Sequence, residues 1–186
     1  MKTCAFIGHR EGDYEEYREY IEDILIDLIE EEGVTQFYSG GRGKFDDICA
    51  SIVASLKTEF PQIKNTLVLS YIPQDKNKFV LDKKYDDSVY LLEGETLPKF
   101  AISKTNEKMM DRADFVVAWV RYGWGGAQSA YRYAKRKKKK IVNIYDFTKE
   151  WDRELAQEQE FHDFIESLDR EEKERVWRKI TKRMEE

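Results

Sequence analysis

FVVAWV at positions 115–120, RYGWGG at 121–126 and AQSAYRYAK at 127–135 decide the fold. The first run is apolar throughout, too short for a buried helix, and rich in β-branched and aromatic side chains. That is the pattern of a strand covered on both faces. Glycines then break the strand, and a helix runs on through Ala130 and Ala134. Strand, glycine turn and helix in that order form half of a βαβ unit, whose strands lie parallel.

The same grammar recurs upstream. TCAFIG (3–8) reads as a buried strand ending in a polar loop, HREGD. Tyr17, Tyr20, Ile21, Ile24, Leu25 and Leu28 then repeat at three- and four-residue steps, predicting an amphipathic helix. Asp13 suits its N-cap, with Glu16 three residues on, and Gly33 can close it. VTQFYS (34–39) predicts a second strand, which runs into Gly40-Gly41-Arg42-Gly43. Ile48, Cys49, Ile52, Val53 and Leu56 mark a second helix, stopped before Pro61. TLVLSYI (66–72) predicts a third strand, closed by Pro73.

Residues 74–99 are irregular, with one short strand expected near Val89–Leu92. Segments of that kind inside a domain are functional or docked on the surface. Phe100–Arg112 predicts a helix and Ile141–Tyr145 the last strand. The whole predicts an α/β protein: a Rossmann-like, doubly wound, mainly parallel sheet with helices on both faces. Beyond it, Trp151, Leu155, Phe161, Phe164, Ile165, Leu168, Val176, Trp177, Ile180 and Met184 are spaced as helical stripes among charges. We therefore expect a ligand-binding domain over 1–148 and a charged helical extension over 149–186. A homodimer through that extension is one use for it.

Composition narrows the function. The chain has 186 residues, 41% hydrophobic, 13% aromatic and 37% charged, with a formal net charge of −5. This is a globular composition, and the acidic balance argues against a general nucleic-acid binder. No apolar run approaches the ~18 residues of a membrane span. The N-terminus has no signal-peptide pattern, and Cys4 and Cys49 sit in apolar patterns as reduced core residues, so a cytoplasmic protein is expected. His9 and His162 form no zinc spacing with them, and neither a metal nor a cofactor is implied.

Three loops leave the carboxyl ends of predicted strands: Gly8-His9-Arg10, Ser39-Gly40-Gly41-Arg42-Gly43, and Tyr122-Gly123-Trp124-Gly125-Gly126-Ala127. In open parallel sheets, ligands bind outside those ends. Glycine lets backbone amides approach a phosphate, and the following helix adds the positive end of its dipole. Arg10, Arg42 and Arg121 could add charge-assisted contacts. One such loop alone reads equally well as a tight turn; three at one edge favour a binding site. His9 has two readings, a ligand contact or a hydrogen bond within its turn. Asp46 also has two, holding a ribose hydroxyl or capping the second helix. Tyr122 and Trp124 would stack on a base or pack over a neighbouring loop. Asn106 and Arg112 lie on the helix before FVVAWV and could reach the crevice, but structural use is the favoured reading for both. The run Lys135–Lys140 fits a helix C-terminus, where cations oppose the dipole, better than a nucleic-acid patch.

CAFIGHR (4–10), FYSGGRGKFDDICASIVASLK (37–57), TLVLSYIP (66–73), PKFAISKTNEKMM (98–110), DRADFVVAWV (111–120) and GWGGAQSAYRYAKRKKKKIVNI (123–144) resemble the YpsA-like family of the SLOG superfamily of Rossmann-like proteins. The resemblance runs from about Thr3 to Ile144 and implies a nucleotide-ligand fold. The superfamily includes phosphoribohydrolases, DNA-processing proteins and nucleotide-signal sensors. The phosphoribohydrolases carry PGGxGTxxE, whose Glu takes part in cleavage. Here Trp124 stands for the Pro, Gln128 for the third Gly and Arg132 for the Glu. A permanent cation cannot do a carboxylate's work. The resemblance therefore implies binding or sensing of a nucleotide or nucleotide-derived molecule without evident catalysis. N-glycoside cleavage of a nucleoside monophosphate, and a DNA- or protein-interaction module, are the alternatives.

Overall fold

The computed structural model describes residues 1–73, 79–94 and 96–146, together with 166, 167, 169, 170, 172 and 173. The chain divides into two compact units, Met1–Tyr145 and Asp146–Glu186. In the second, the Glu172 amide donates to Asp169 Oδ1 and the Asp169 amide to Glu172 Oε2, a reciprocal capping box that starts a helical turn. The stripe residues from Trp151 to Met184 lie outside the described residues.

The first unit runs β1 (Lys2–Gly8), a 3-10 turn (Glu15–Tyr17), α1 (Arg18–Glu30), β2 (Val34–Ser39), α2 (Lys44–Leu56), β3 (Lys64–Leu69), β4 (Asp87–Tyr90), α3 (Pro98–Arg112), β5 (Phe115–Trp119), α4 (Gly125–Arg136) and β6 (Lys140–Asn143). All five strand pairings are parallel, in the order β4-β3-β2-β1-β5-β6. This is the doubly wound Rossmann-like sheet expected from the sequence. Chain order reverses between β1 and β5, which opens the crevice at their carboxyl ends.

Strand alternation builds a core on each face. Cys4 and Phe6 point toward α1 and α2, where Leu25, Phe37, Ile52 and Val53 close around them. Ala5 and Ile7 point the other way, against Met109 and Met110 of α3 and Ala130 and Ala134 of α4. Every residue of β5 is buried. Both cysteines are free and buried, and burial pushes the Cys4 thiol up to about 12, which keeps it protonated and inert.

Five local expectations are corrected. Asp13 caps nothing: α1 begins five residues later, after the 3-10 turn. The cause is Tyr14, which is buried and donates its hydroxyl to the carbonyls of His9 and Glu11, so the preceding residues are spent on a loop. β3 ends at Leu69, where its partner β4 ends at Tyr90, and Ser70–Ile72 lie beyond the ladder. β5 stops at Trp119 and β6 at Asn143. Between them the Asn143 side chain accepts from the Val120 amide at 2.9 Å and donates to its carbonyl at 3.3 Å, taking the place of the next rung. Asp46 is not an N-cap; Gly43 holds that position and Asp46 lies inside α2.

Candidate functional site

The loops after β1, β2 and β5 are joined to one another. The Lys44 amide, first in α2, donates to the Arg10 carbonyl at 3.0 Å. A Cβ on Gly43 would stand 2.7 Å from Arg10 Cα, and one on Gly8 would strike Phe45 at 2.4 Å, so these two glycines are demanded by close packing. His9 Nε2 accepts from the amides of Arg121 at 3.0 Å and Tyr122 at 3.2 Å, which pins the β1 loop to the β5 loop. Together the three loops wall a crevice of about 250 Å³ at the reversal of strand order.

From the first loop Gly8, His9 and Arg10 line it; from the second, Gly40, Arg42 and Asp46; from the third, Trp124, Gly125, Gly126 and Ala127. Ser39, Gly41, Gly43, Tyr122 and Gly123 do not. Ser39 is fully buried, with its hydroxyl toward Tyr85 and the Gly41 amide. Gly41 takes φ 61°, which favours glycine, and lines a neighbouring groove.

Many amides that the sequence suggested for a guest are already spent. Those of Gly41 and Arg42 donate to Ser39 Oγ and Asp46 Oδ2, and those of Arg121 and Tyr122 to His9. What stays open is the start of α4. The first amides of a helix have no intrahelical acceptor, and here no side chain caps them. Gly125 takes φ 90°, but at Gly123 and Gly126 φ is ordinary and an added Cβ would meet nothing within 4 Å. No internal contact explains glycine at those two positions. Arg10 and Arg42 line the same crevice as this helix start. Among the described residues, neither Arg10 nor Arg42 forms an ion pair; Arg42 rests over the Tyr71 ring at 5.3 Å.

Two titratable groups complete the crevice. Burial lowers the pKa of His9, which keeps the ring neutral and its Nε2 lone pair available to the two amides. Burial also pushes the Asp46 carboxyl up to about 6, against the opposing pull of the Arg42 amide and charge. Asp46 is thus the carboxyl of the crevice, poised to exchange a proton near neutral pH. Arg132 donates to the Gly123 carbonyl at 3.4 Å, so this cation braces the third loop.

The aromatic pair is assembled as a platform. Tyr122 and Trp124 stack at 5.6 Å with a 23° interplanar angle, His9 leans on Tyr122 at 4.8 Å, and Trp124 is 74% exposed. Arg121 turns away, lying over Tyr122 and Tyr145. Asn106, read as structural, instead lines the crevice, and among the described residues its amide has no partner. Its place on the helix before β5 offers this as the less favoured reading, and it shares the crevice wall with Ile102 and Met109. Arg112 stays structural: its carbonyl accepts the Thr3 hydroxyl at 2.6 Å. The lysine run ends α4, with Lys137 paired to Asp111 and Lys140 to Glu32.

The fold has counterparts among solved structures. The chain shares the fold of DNA processing protein A. The Streptococcus pneumoniae protein superposes with a TM-score of 0.54 at 15% identity, over 84% of this chain and 56% of that one. DNA processing protein A from Helicobacter pylori, described for its single-stranded DNA binding mode, gives 0.51 at 19%, over 75% and 63%. The chain therefore spans less than two thirds of either protein. The molybdenum cofactor carrier protein of Chlamydomonas reinhardtii gives 0.46 at 14%, over 76% and 75%. No family profile and no curated protein matches the sequence.

Proposed function

We propose that the crevice binds the phosphate of a nucleotide or nucleotide-derived molecule, and that the chain is a binding or sensing member of the SLOG superfamily, in its YpsA-like branch. The observation that carries this reading is one crevice lined by two arginines that form no ion pair among the described residues and by an uncapped helix start where Gly123 and Gly126 have no packing role. A dianionic phosphate would take the open amides of α4 on one side and Arg10 and Arg42 on the other. Trp124 would stack on the base, and Asn106 would supply a donor and an acceptor to the sugar or base edge. The phosphate would act as the missing cap of α4.

Thermal melting with a panel of nucleoside monophosphates, the matching nucleosides and inorganic phosphate tests it. Nucleotides should raise Tm, nucleosides should not, and Arg10→Ala with Arg42→Ala should abolish the shift. A panel without any shift overturns the reading.

One observation favours a second reading, N-glycoside cleavage: the proton-exchanging carboxyl of Asp46 in the crevice. Free base in the incubation, lost in Asp46→Asn, would establish it. The DNA-binding of the Helicobacter counterpart makes a nucleic-acid phosphate the other anion to test. Steeply salt-dependent binding to single strands, stronger than to any mononucleotide, would move the reading there.

A further inference from the structure

Asp46 reaches the crevice wall from the first turn of α2. Its Oδ2 accepts from the Arg42 amide at 2.9 Å and lies 3.4 Å from where a Cβ on Gly40 would stand. Among the described residues, its Oδ1 accepts from nothing. Arg42 stands four residues earlier in the same wall, yet its guanidinium forms no ion pair with this carboxyl. It rests over the Tyr71 ring instead, and Tyr71 is tied to the start of α3 by donating to the Pro98 carbonyl at 3.1 Å. The crevice thus sets a carboxyl without a salt-bridge partner beside two arginines and a helix start suited to an anion. An anion bound there shares about 250 Å³ with that carboxyl. Like charges this close raise each other's affinity for protons. A carboxylate would repel the guest, whereas a carboxylic acid would donate a hydrogen bond to it.

We propose that Asp46 holds the bound anion as an acid: its carboxyl donates to the guest through an O–H, and binding above neutral pH draws one proton from solvent. This rests on the reading of the crevice as a phosphate site, and adds that occupancy is coupled to proton uptake. The groups around Asp46 leave that proton to it. On α2, burial holds the Cys49 thiol well above its usual range, and Asp47 is paired with Lys84. From the loop before α1, Tyr14 is pushed up to about 12, and Glu11 is paired with Lys44 at 3.8 Å. From the segment before β4, Tyr85 is raised by burial. His9 is lowered and neutral, and the charges of Arg10 and Arg42 are permanent. α3 and α4 bring Asn106 and Trp124, which do not titrate. Asp46 itself, at about 6 in the free protein, is mostly ionised above pH 7, and a bound anion raises that value further.

Isothermal titration of the full chain with nucleoside 5′-monophosphates tests it between about pH 7 and 8.5, where the ester is already mostly a dianion. Each titration is run in two buffers of different ionisation enthalpy, which counts the protons taken up. Wild type should take up about one proton per ligand at pH 8 and lose about tenfold in affinity per pH unit. Asp46→Asn keeps an oxygen for the Arg42 amide and turns an N–H toward the guest. It should take up no proton, hold a flat affinity and bind more tightly than wild type at pH 8.5, with melting curves confirming that it folds. A carboxyl that only shapes its loop, or that grips a sugar hydroxyl, gives neither the slope nor that gain. Wild-type binding without proton uptake overturns the proposal and leaves the crevice reading standing. So does a slope that survives in Asp46→Asn. Absence of wild-type binding at every pH overturns both.

Discussion

His9 and Asp46 illustrate what one side chain can conceal in a sequence. GHR after a strand reads as a ligand loop, yet the acceptors and donors that matter join residues 112 positions apart. No local pattern carries a contact of that span, so the histidine's role as a pin emerged only in three dimensions. Its pH signature follows. The folded pKa lies below the ordinary 6.5, so the native state binds the proton less tightly than the unfolded chain. The stability His9 contributes is complete above pH 6.5 and is lost as pH falls through that value toward the folded one. His9→Gln keeps an acceptor and removes the proton, so its Tm should decline less than wild type between pH 7 and 5. Asp46 behaves in the opposite sense. Its folded value of about 6 exceeds 3.8, so the native state holds the proton more tightly and ionisation costs stability as pH rises between those values. Asp46→Asn retains an acceptor for the Arg42 amide and should melt higher than wild type at pH 7, with the difference vanishing near pH 4. An unchanged Tm at pH 7 would show that the carboxyl is solvated.

The elements were legible to a large degree, because continuous apolar strands and three-to-four-residue stripes are direct consequences of burial on a two-faced sheet. β2 has the bounds its sequence predicts, and the buried face of α2 carries Ile48, Cys49, Ile52, Val53 and Leu56. What stayed hidden was why each glycine is there, since a glycine forced by packing and one kept open for a guest are spelled alike. The distinction can be measured. Gly8→Ala drives a methyl group into Phe45 and should cost roughly 1–3 kcal/mol. Gly125→Ala places an L-residue at φ 90° and should cost about 1–2 kcal/mol. Gly123→Ala and Gly126→Ala meet no atoms and should stabilise by about 0.4–1 kcal/mol while weakening nucleotide binding. If the last two variants keep full affinity, the α4 start is not where the anion sits.

At the scale of the whole molecule, a doubly wound sheet was foreseeable and its strand order was not. Alternating strands and helices dictate parallel pairing, but which strands become neighbours depends on crossovers that leave no periodic trace. The placement of β4 beside β3, and of β5 on the far side of β1, is of this kind. The domain division proposed from composition also belongs here. A chain ending at residue 148 retains both cores, the three loops and the crevice, and should unfold in one cooperative transition with its nucleotide-induced Tm shift intact. Loss of cooperativity would mean that the last 38 residues, 149–186, are part of the fold that carries the site.

The central position of β1 has an effect during biosynthesis. It leaves the ribosome first, yet its neighbour on one side begins only at residue 115. At about 5–20 residues per second, β1, β2 and β3 can assemble several seconds before that neighbour exists. Throughout that interval Ala5 and Ile7 lack the helices that later cover them, and one edge of the nascent sheet is unpaired. Translation speed across residues 70–136 should therefore govern how much of the newborn protein is captured by chaperones rather than how stable the finished protein becomes.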